Sequence, residues 1–266
     1  MSEFWWAYLA LGAFAGFFAG LLGVGGGAIM VPILTSIFIA EGFPKTEVVH
    51  LALGTSMAAI VFTSVSSLRA HHAHNAVLWP VVRAITPGIL CGTFGATFVA
   101  ALLPTRALTL FFAAFIAWVA LRMLSSRKPT AQRELPGPLG MTAVGLGIGG
   151  VSALVAIGGG SLSVPFMTWC NVKTQNAIGT SAAIGLPIAL AGTLGYLVNG
   201  WGHPGLPPMT LGFIYLPALV MVTVVSTLVA PFGARLAHRL PVATLKRVFA
   251  GVLILLVLKM LWGVFG

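Results

Sequence analysis

Val24-Gly25-Gly26-Gly27-Ala28-Ile29-Met30-Val31-Pro32 and Ile157-Gly158-Gly159-Gly160-Ser161-Leu162-Ser163-Val164-Pro165 are one motif written twice. In each copy three consecutive glycines interrupt a long apolar run, residues 4–40 in the first case and 139–170 in the second. A transmembrane helix needs about 20 apolar residues, so each run is too long for one crossing and somewhat short for two. Further matches follow in the same order: Lys45-Thr46 with Lys173-Thr174, Gly54-Thr55-Ser56 with Gly179-Thr180-Ser181, Leu103-Pro104 with Leu240-Pro241, and Met123-Leu124 with Met260-Leu261. Such ordered self-similarity marks an internal repeat. The repeats are residues 1–124 and 139–266, joined by a polar linker, 125–138.

Unbroken apolar runs at 47–68, 78–101 and 105–124, and at 174–198, 210–231 and 241–262, add three helices to each repeat. The chain is 58% hydrophobic and 7% charged, where soluble domains carry about 25% charged residues. So few charges cannot cover a water-soluble surface, and lipid must be most of the solvent. The expected class is an all-α polytopic membrane protein. The net charge of +10 is no sign of nucleic acid, because the basic residues are thinly scattered between apolar runs, as the positive-inside effect arranges them. No basic region precedes the first apolar run, so no cleaved signal peptide is expected. Trp5, Trp6 and Tyr8 read as an interfacial aromatic anchor. Cys91 and Cys170 both lie in apolar stretches and read as buried, inert thiols.

Charge also orients the repeats. If each broken run crosses once, the 14 Lys and Arg divide evenly between the two sides. If each is a hairpin that returns to its own side, Lys45, Arg106 and Lys259 share one side and the other eleven share the opposite one. The second division is the asymmetry of a cytoplasmic face. The loop 199–208, without Lys or Arg, falls outside. Each half then makes an odd net number of crossings. The repeats are expected to be inverted, with both termini outside, in a bacterial-type inner membrane.

Mid-membrane glycines free backbone groups that cost several kcal/mol each when unsatisfied. A Gly-Gly-Gly turn followed by a helix leaves N–H groups at the positive end of the helix dipole, which is a ready anion site. Two such ends meeting near the midplane describe a transporter's binding site. The candidate residues are Gly25, Gly26, Gly27 and Ala28 with Thr55 and Ser56 in the first half. In the second they are Gly158, Gly159, Gly160 and Ser161 with Thr180 and Ser181, and Ser163 nearby. Gly12, Gly16 and Gly20, spaced by four, read instead as close helix packing, and the Thr-Ser pairs have a structural alternative in bonding to the i−4 carbonyl.

At these motifs the chain resembles the TauE/SafE family of membrane transporters over essentially its whole length. The resemblance rests on Leu22-Gly23-Val24-Gly25-Gly26-Gly27, Pro32 and Thr55-Ser56, repeated as Ala156-Ile157-Gly158-Gly159-Gly160, Pro165 and Thr180-Ser181, with Ala156 standing where the first half has Gly23. It implies transport of sulfite or an organosulfonate, often outward, and no enzymatic activity. The expected partners are a small anion of the sulfite, sulfonate or thiosulfate class and the lipid bilayer, with the protein a monomer or a homodimer. Rival readings are an anion channel with the same donors, or a non-transporting membrane subunit. An intramembrane enzyme is disfavoured by the lack of Asp and of any catalytic triad.

Other residues carry weaker signals. His71, His72 and His74 beside Arg69 fall in an expected cytoplasmic loop and read as a basic face rather than a metal site; no cofactor is expected. His50 beside Glu47 reads as a helix-end interfacial residue, with proton coupling as the alternative. Arg83 either snorkels or faces the cavity and attracts substrate. Pro87 and Pro217 are expected to kink matching helices.

Overall fold

The computed structural model describes residues 4–22, 26–125, 133–237 and 242–265. The linker's central residues and Gly25 lie outside them. The first half contributes α1 (Trp5–Leu22), α2 (Gly27–Ala40), α3 (Val48–Ala73), α4 (Trp79–Leu102) and α5 (Thr105–Leu124). The second contributes α6 (Pro138–Val155), α7 (Gly160–Trp169), α8 (Thr174–Asn199), a hairpin of β1 (Thr210–Leu211) and β2 (Ile214–Tyr215), α9 (Leu216–Ala237) and α10 (Val242–Phe265). Within the described residues six helices are long and apolar enough to cross a membrane: α3, α4, α5, α6, α8 and the Arg247–Phe265 part of α10. The protein is an all-α polytopic membrane protein. Helices are required because backbone groups in hydrocarbon must bond within their own segment.

The two broken runs become helix pairs, α1–α2 and α6–α7. Their second arms are short: α7 has 10 residues, about 15 Å at 1.5 Å per residue, which reaches about half of the 30 Å core. The breaks have matching geometry. Gly26 precedes α2 at φ 70, ψ −16, and Gly159 precedes α7 at φ 77, ψ −17. That left-handed conformation costs a residue with a Cβ about 1–2 kcal/mol, which is why glycine stands at both.

Packing exchanges the halves. α1 lies on α9, α4 on α6, α3 on α8 and α5 on α10. A Cβ on Gly12 or Gly16 would strike the backbone of Val222 or Ser226 of α9. Gly145 and Gly149 of α6, at the same spacing, meet Ile85 and Ile89 of α4 in the same way. Gly12 and Gly16 therefore serve close helix packing, as expected. α3 and α8 run in opposite directions, since Met57 packs at Gly192 and Ser64 at Gly185.

Several expectations are corrected. The segment 210–215 is a tight hairpin around Gly212 (φ 57), not helix. α3 continues through His71 and His72 to Ala73, so these two are helical and only His74 follows the helix. Nothing in the sequence stops the helix before Asn75, whose φ is 53. Pro217 falls in the first turn of α9, where a missing N–H costs nothing; its counterpart there is Pro80 at the start of α4, while Pro87 is interior to α4. Trp5 and Trp6 are exposed, but Tyr8 is wholly buried and donates to a Glu41 carboxylate oxygen at 2.7 Å. Cys170 is buried, whereas Cys91 is exposed on α4. Burial pushes the Cys170 thiol up, against a smaller opposite pull from Arg133, and so keeps it unreactive.

Candidate functional site

The two glycine breaks meet. A Cβ built on Gly27 would lie 1.8 Å from the carbonyl oxygen of Ala156, so the start of α2 rests directly on the end of α6. Ala156 itself is left-handed (φ 46, ψ 45), a strained state for a residue with a Cβ. No side-chain cap serves the N-terminus of α2 or α7, so their first N–H groups have no side-chain acceptor.

Beside the second break lies a cavity of about 370 Å³. Gly158 and Ser181 line it, with Gly185 and Ala182 of α8, Thr63, Ser64, Ser66, Ser67 and His71 of α3, Thr227 of α9 and Ala19 of α1. Among the described lining residues there is no carboxylate, and His71 is their one ionisable group. Hydroxyls both donate and accept, and their hydrogens can rotate toward an anion in such a wall. Ser163 Oγ stands 2.9 Å from the Gly159 carbonyl and 2.8 Å from Ser181 Oγ. When Ser163 donates to Ser181, the proton of Ser181 is free for the cavity.

The Gly-Thr-Ser motifs divide their labour. Gly54 lets the Phe213 carbonyl approach, and Thr55 Oγ1 accepts from the Tyr215 N–H at 3.0 Å, just before α9. Gly179 lets the Ala76 carbonyl approach, and Thr180 Oγ1 accepts from the Leu78 N–H at 2.9 Å, just before α4. Each half thus clamps the lead into a helix of the other, and neither Thr bonds its i−4 carbonyl. The serines remain. Ser181 faces the cavity, while Ser56 is buried with no hydrogen-bond partner. The first half has Met30 where Ser163 stands in the second.

Of the expected residues, then, Gly158 and Ser181 line the cavity. Gly26, Gly27, Ala28, Ser56 and Gly159 are buried, and Gly160 and Ser161 are partly buried. Thr55 and Thr180 are at the clamps. Arg83 is exposed on α4 and is not among the lining residues. Among the described residues no cluster of His, Cys, Asp or Glu has metal-site geometry. The hydroxyls of α3 escaped sequence reading, although Thr63-Ser64-Val65-Ser66-Ser67 is a polar run inside an apolar helix and was a signal.

The cavity's counterpart at the other end of α3 and α8 is filled. Met57, Ile60, Ile188 and Tyr196 are buried there, and the Tyr196 hydroxyl donates to the Ala153 carbonyl at 2.9 Å. That end instead carries a second pocket, of about 500 Å³, lined by Lys45, Glu47, His50, Arg106 and His203. His71 and His50 are some twenty residues apart on α3, about 30 Å, so the two openings are separated by about a bilayer core.

Three comparisons bear on these observations. The chain is 36% identical to a probable membrane transporter protein of Haemophilus influenzae over 95% of this chain and 96% of that one. It is 24% identical to the probable membrane transporter protein YdhB of Bacillus subtilis over 87% and 89%, and 28% identical to a probable membrane transporter protein of Xylella fastidiosa over 94% and 92%. No solved structure matches the chain. These relatives are named as transporters, not enzymes, and a transporter's partners are a small-molecule substrate and the bilayer. The family model of the sulfite exporter TauE/SafE matches residues 8–260, and the chain belongs to that family of multi-pass membrane transporters.

Proposed function

We propose that the chain is a secondary transporter of small sulfur-containing anions, sulfite or organosulfonates, working by alternating access. The observation that carries this reading is the hydroxyl-lined cavity, with no carboxylate among its described lining residues, that reaches Gly158 and Ser181 from one end while its counterpart is filled. A channel would need both ends open together. Ser181, Gly158 and the uncapped start of α7 hold the anion, with the break at Gly26, Gly27 and Ala28 as the surface against which that site is built. One helix end contributes about 0.3–2 kcal/mol toward an anion, so several hydroxyls are needed to offset dehydration.

The two halves are read as inverted repeats that rock about this centre. Support comes from the exchanged helix pairs and from the opposite directions of α3 and α8. Lys45, Arg106 and the described chain ends gather at one end: Arg106 lies over the Phe265 ring, and Tyr8 bonds Glu41. By the charge division this is the outer face of an inner membrane, so the cavity opens to the cytoplasm, as outward transport requires for loading.

The test is thermal stabilisation of the purified protein by sulfite, thiosulfate, sulfoacetate, sulfate, chloride and acetate at constant ionic strength. A ligand at a hundred times its Kd stabilises by about 2.7 kcal/mol. The expected result is a shift selective for a sulfur anion and reduced in Ser181→Ala. Small uniform shifts across the panel would sink the reading.

A further inference from the structure

His50 was expected at a helix end in the interface. It is instead 3% exposed, with its ring stacked on Phe213 at 5.2 Å between centroids. Nε2 lies 3.0 Å from the Ala100 carbonyl oxygen. A carbonyl only accepts, so Nε2 carries the hydrogen and Nδ1 is the atom that gains or loses a proton. Nδ1 is buried without a hydrogen-bond partner, and Glu47 Oε2 is 3.6 Å away. A bare lone pair there faces a carboxylate; a proton on Nδ1 replaces that opposition with an ion pair.

The surroundings give this proton a consequence. Among the described residues the charged or titratable groups lining the pocket are Glu47 beside His50 at the start of α3, Lys45 in the preceding turn, Arg106 of α5 and His203 of the loop before β1. α4 faces the ring with the Ala100 carbonyl, and Thr105 spends its hydroxyl on the Thr46 carbonyl. Among the described lining residues Glu47 is thus the one carboxylate, beside the two permanent cations Lys45 and Arg106. While His50 is neutral, Glu47 offsets one of them. Once His50 is protonated, Glu47 is neutralised and Lys45 and Arg106 are left to attract an anion. The positive-inside effect depletes this face of Lys and Arg, yet two of the three assigned to it line this one pocket.

We propose that His50 and Glu47 form a proton-binding site, and that its occupation lets the pocket of Lys45, Arg106 and His203 bind a sulfonate or similar oxyanion at the end opposite the cavity. This rests on the reading of the chain as an anion transporter. A mechanical link to the transport path exists. Phe213, stacked on His50, presses its carbonyl on Gly54, and Thr55 holds Tyr215 just before α9, a helix that lines the cavity. Lipid phosphate has the same chemistry as a free oxyanion, so the source must be distinguished.

The experiment titrates the purified full-length chain in lipid-free detergent with methanesulfonate, whose charge is constant between pH 6 and 8.5. Calorimetry gives Kd, and an indicator dye in weak buffer reads protons. Linkage is reciprocal: if protonation favours the anion, the anion must draw in protons. Wild-type protein is expected to take up protons on binding and to bind about tenfold more weakly at pH 8.5 than at pH 6, within the usual range of coupling. His50→Gln, which keeps a donor for Ala100, is expected to lose both effects. Glu47→Gln is expected to hold its affinity at pH 8.5. Competition by short-chain phosphatidylglycerol that abolishes these effects would assign the pocket to lipid and overturn the free-anion half of the proposal. Binding by wild type without proton uptake, or uptake unchanged in His50→Gln, overturns the site but leaves the transport reading. No binding by wild type at all overturns both.

Discussion

Replacing Gly27 by alanine adds one methyl group at the point where the two breaks meet. Its carbon would stand 1.8 Å from the Ala156 carbonyl oxygen and 2.9 Å from Ile60 Cδ1. An ordinary C···O contact is about 3.3 Å, so the two backbones must part by about 1.5 Å. The Ile60 methyl can rotate away, but the obstacle on the other side is main chain. Overpacking a tight core costs about 1–3 kcal/mol, and a backbone obstacle places Gly27→Ala at the upper end. For a chain of this size that is a fall in apparent Tm of about 6–12 °C. Gly158→Ala is the matched control. Its Cβ would meet nothing nearer than Ile60 Cγ2 at 3.6 Å, so its Tm should move by less than about 2 °C. That methyl stands at the wall of the cavity and should weaken anion stabilisation instead. The assay is tryptophan fluorescence during heating of each variant in one detergent. A Gly27→Ala Tm equal to wild type would refute the direct contact of the breaks, and with it the shared centre between the halves.

Two further outcomes follow from the hydrogen bonds. Thr55→Val and Thr180→Val each remove the hydroxyl that accepts from a backbone N–H of the opposite half, at Tyr215 and Leu78. Each should cost about 1–3 kcal/mol by the same thermal assay, without changing which anion stabilises the protein; altered selectivity would mean that the threonines touch substrate. Tyr196→Phe removes the bond to the Ala153 carbonyl from the filled end. It should lower stability by about 0.5–1.5 kcal/mol and raise the labelling of a Cys introduced at Ser56, while labelling as slow as in the Tyr196 parent would show that the end does not open there.

Composition and periodicity carried much of the fold. So few charges in so apolar a chain admit no solvent but lipid, and the helices at 105–124 and 174–199 fall where the apolar runs lie. The hairpin at 210–215 was hidden because its apolar residues continue the run into α9, and only a turn at Gly212 breaks it. Tyr8 looked interfacial because a pattern of aromatics near a terminus cannot show that Glu41 lies across from it.

The sequence by itself determined that the chain is a helical membrane protein and that two glycine motifs break it at matching places. These follow from local chemistry: the cost of bare backbone in lipid and the conformations only glycine adopts cheaply. Which member of each motif is left for a ligand was decided by tertiary structure alone. Thr55 and Thr180 are spent on N–H groups 160 and 102 residues away, Ser181 faces a cavity, and His50 finds its acceptor in Ala100 of another helix. A hydroxyl or an imidazole is equally able to hold a substrate or a neighbour, and only the neighbour's arrival through the folded chain settles which.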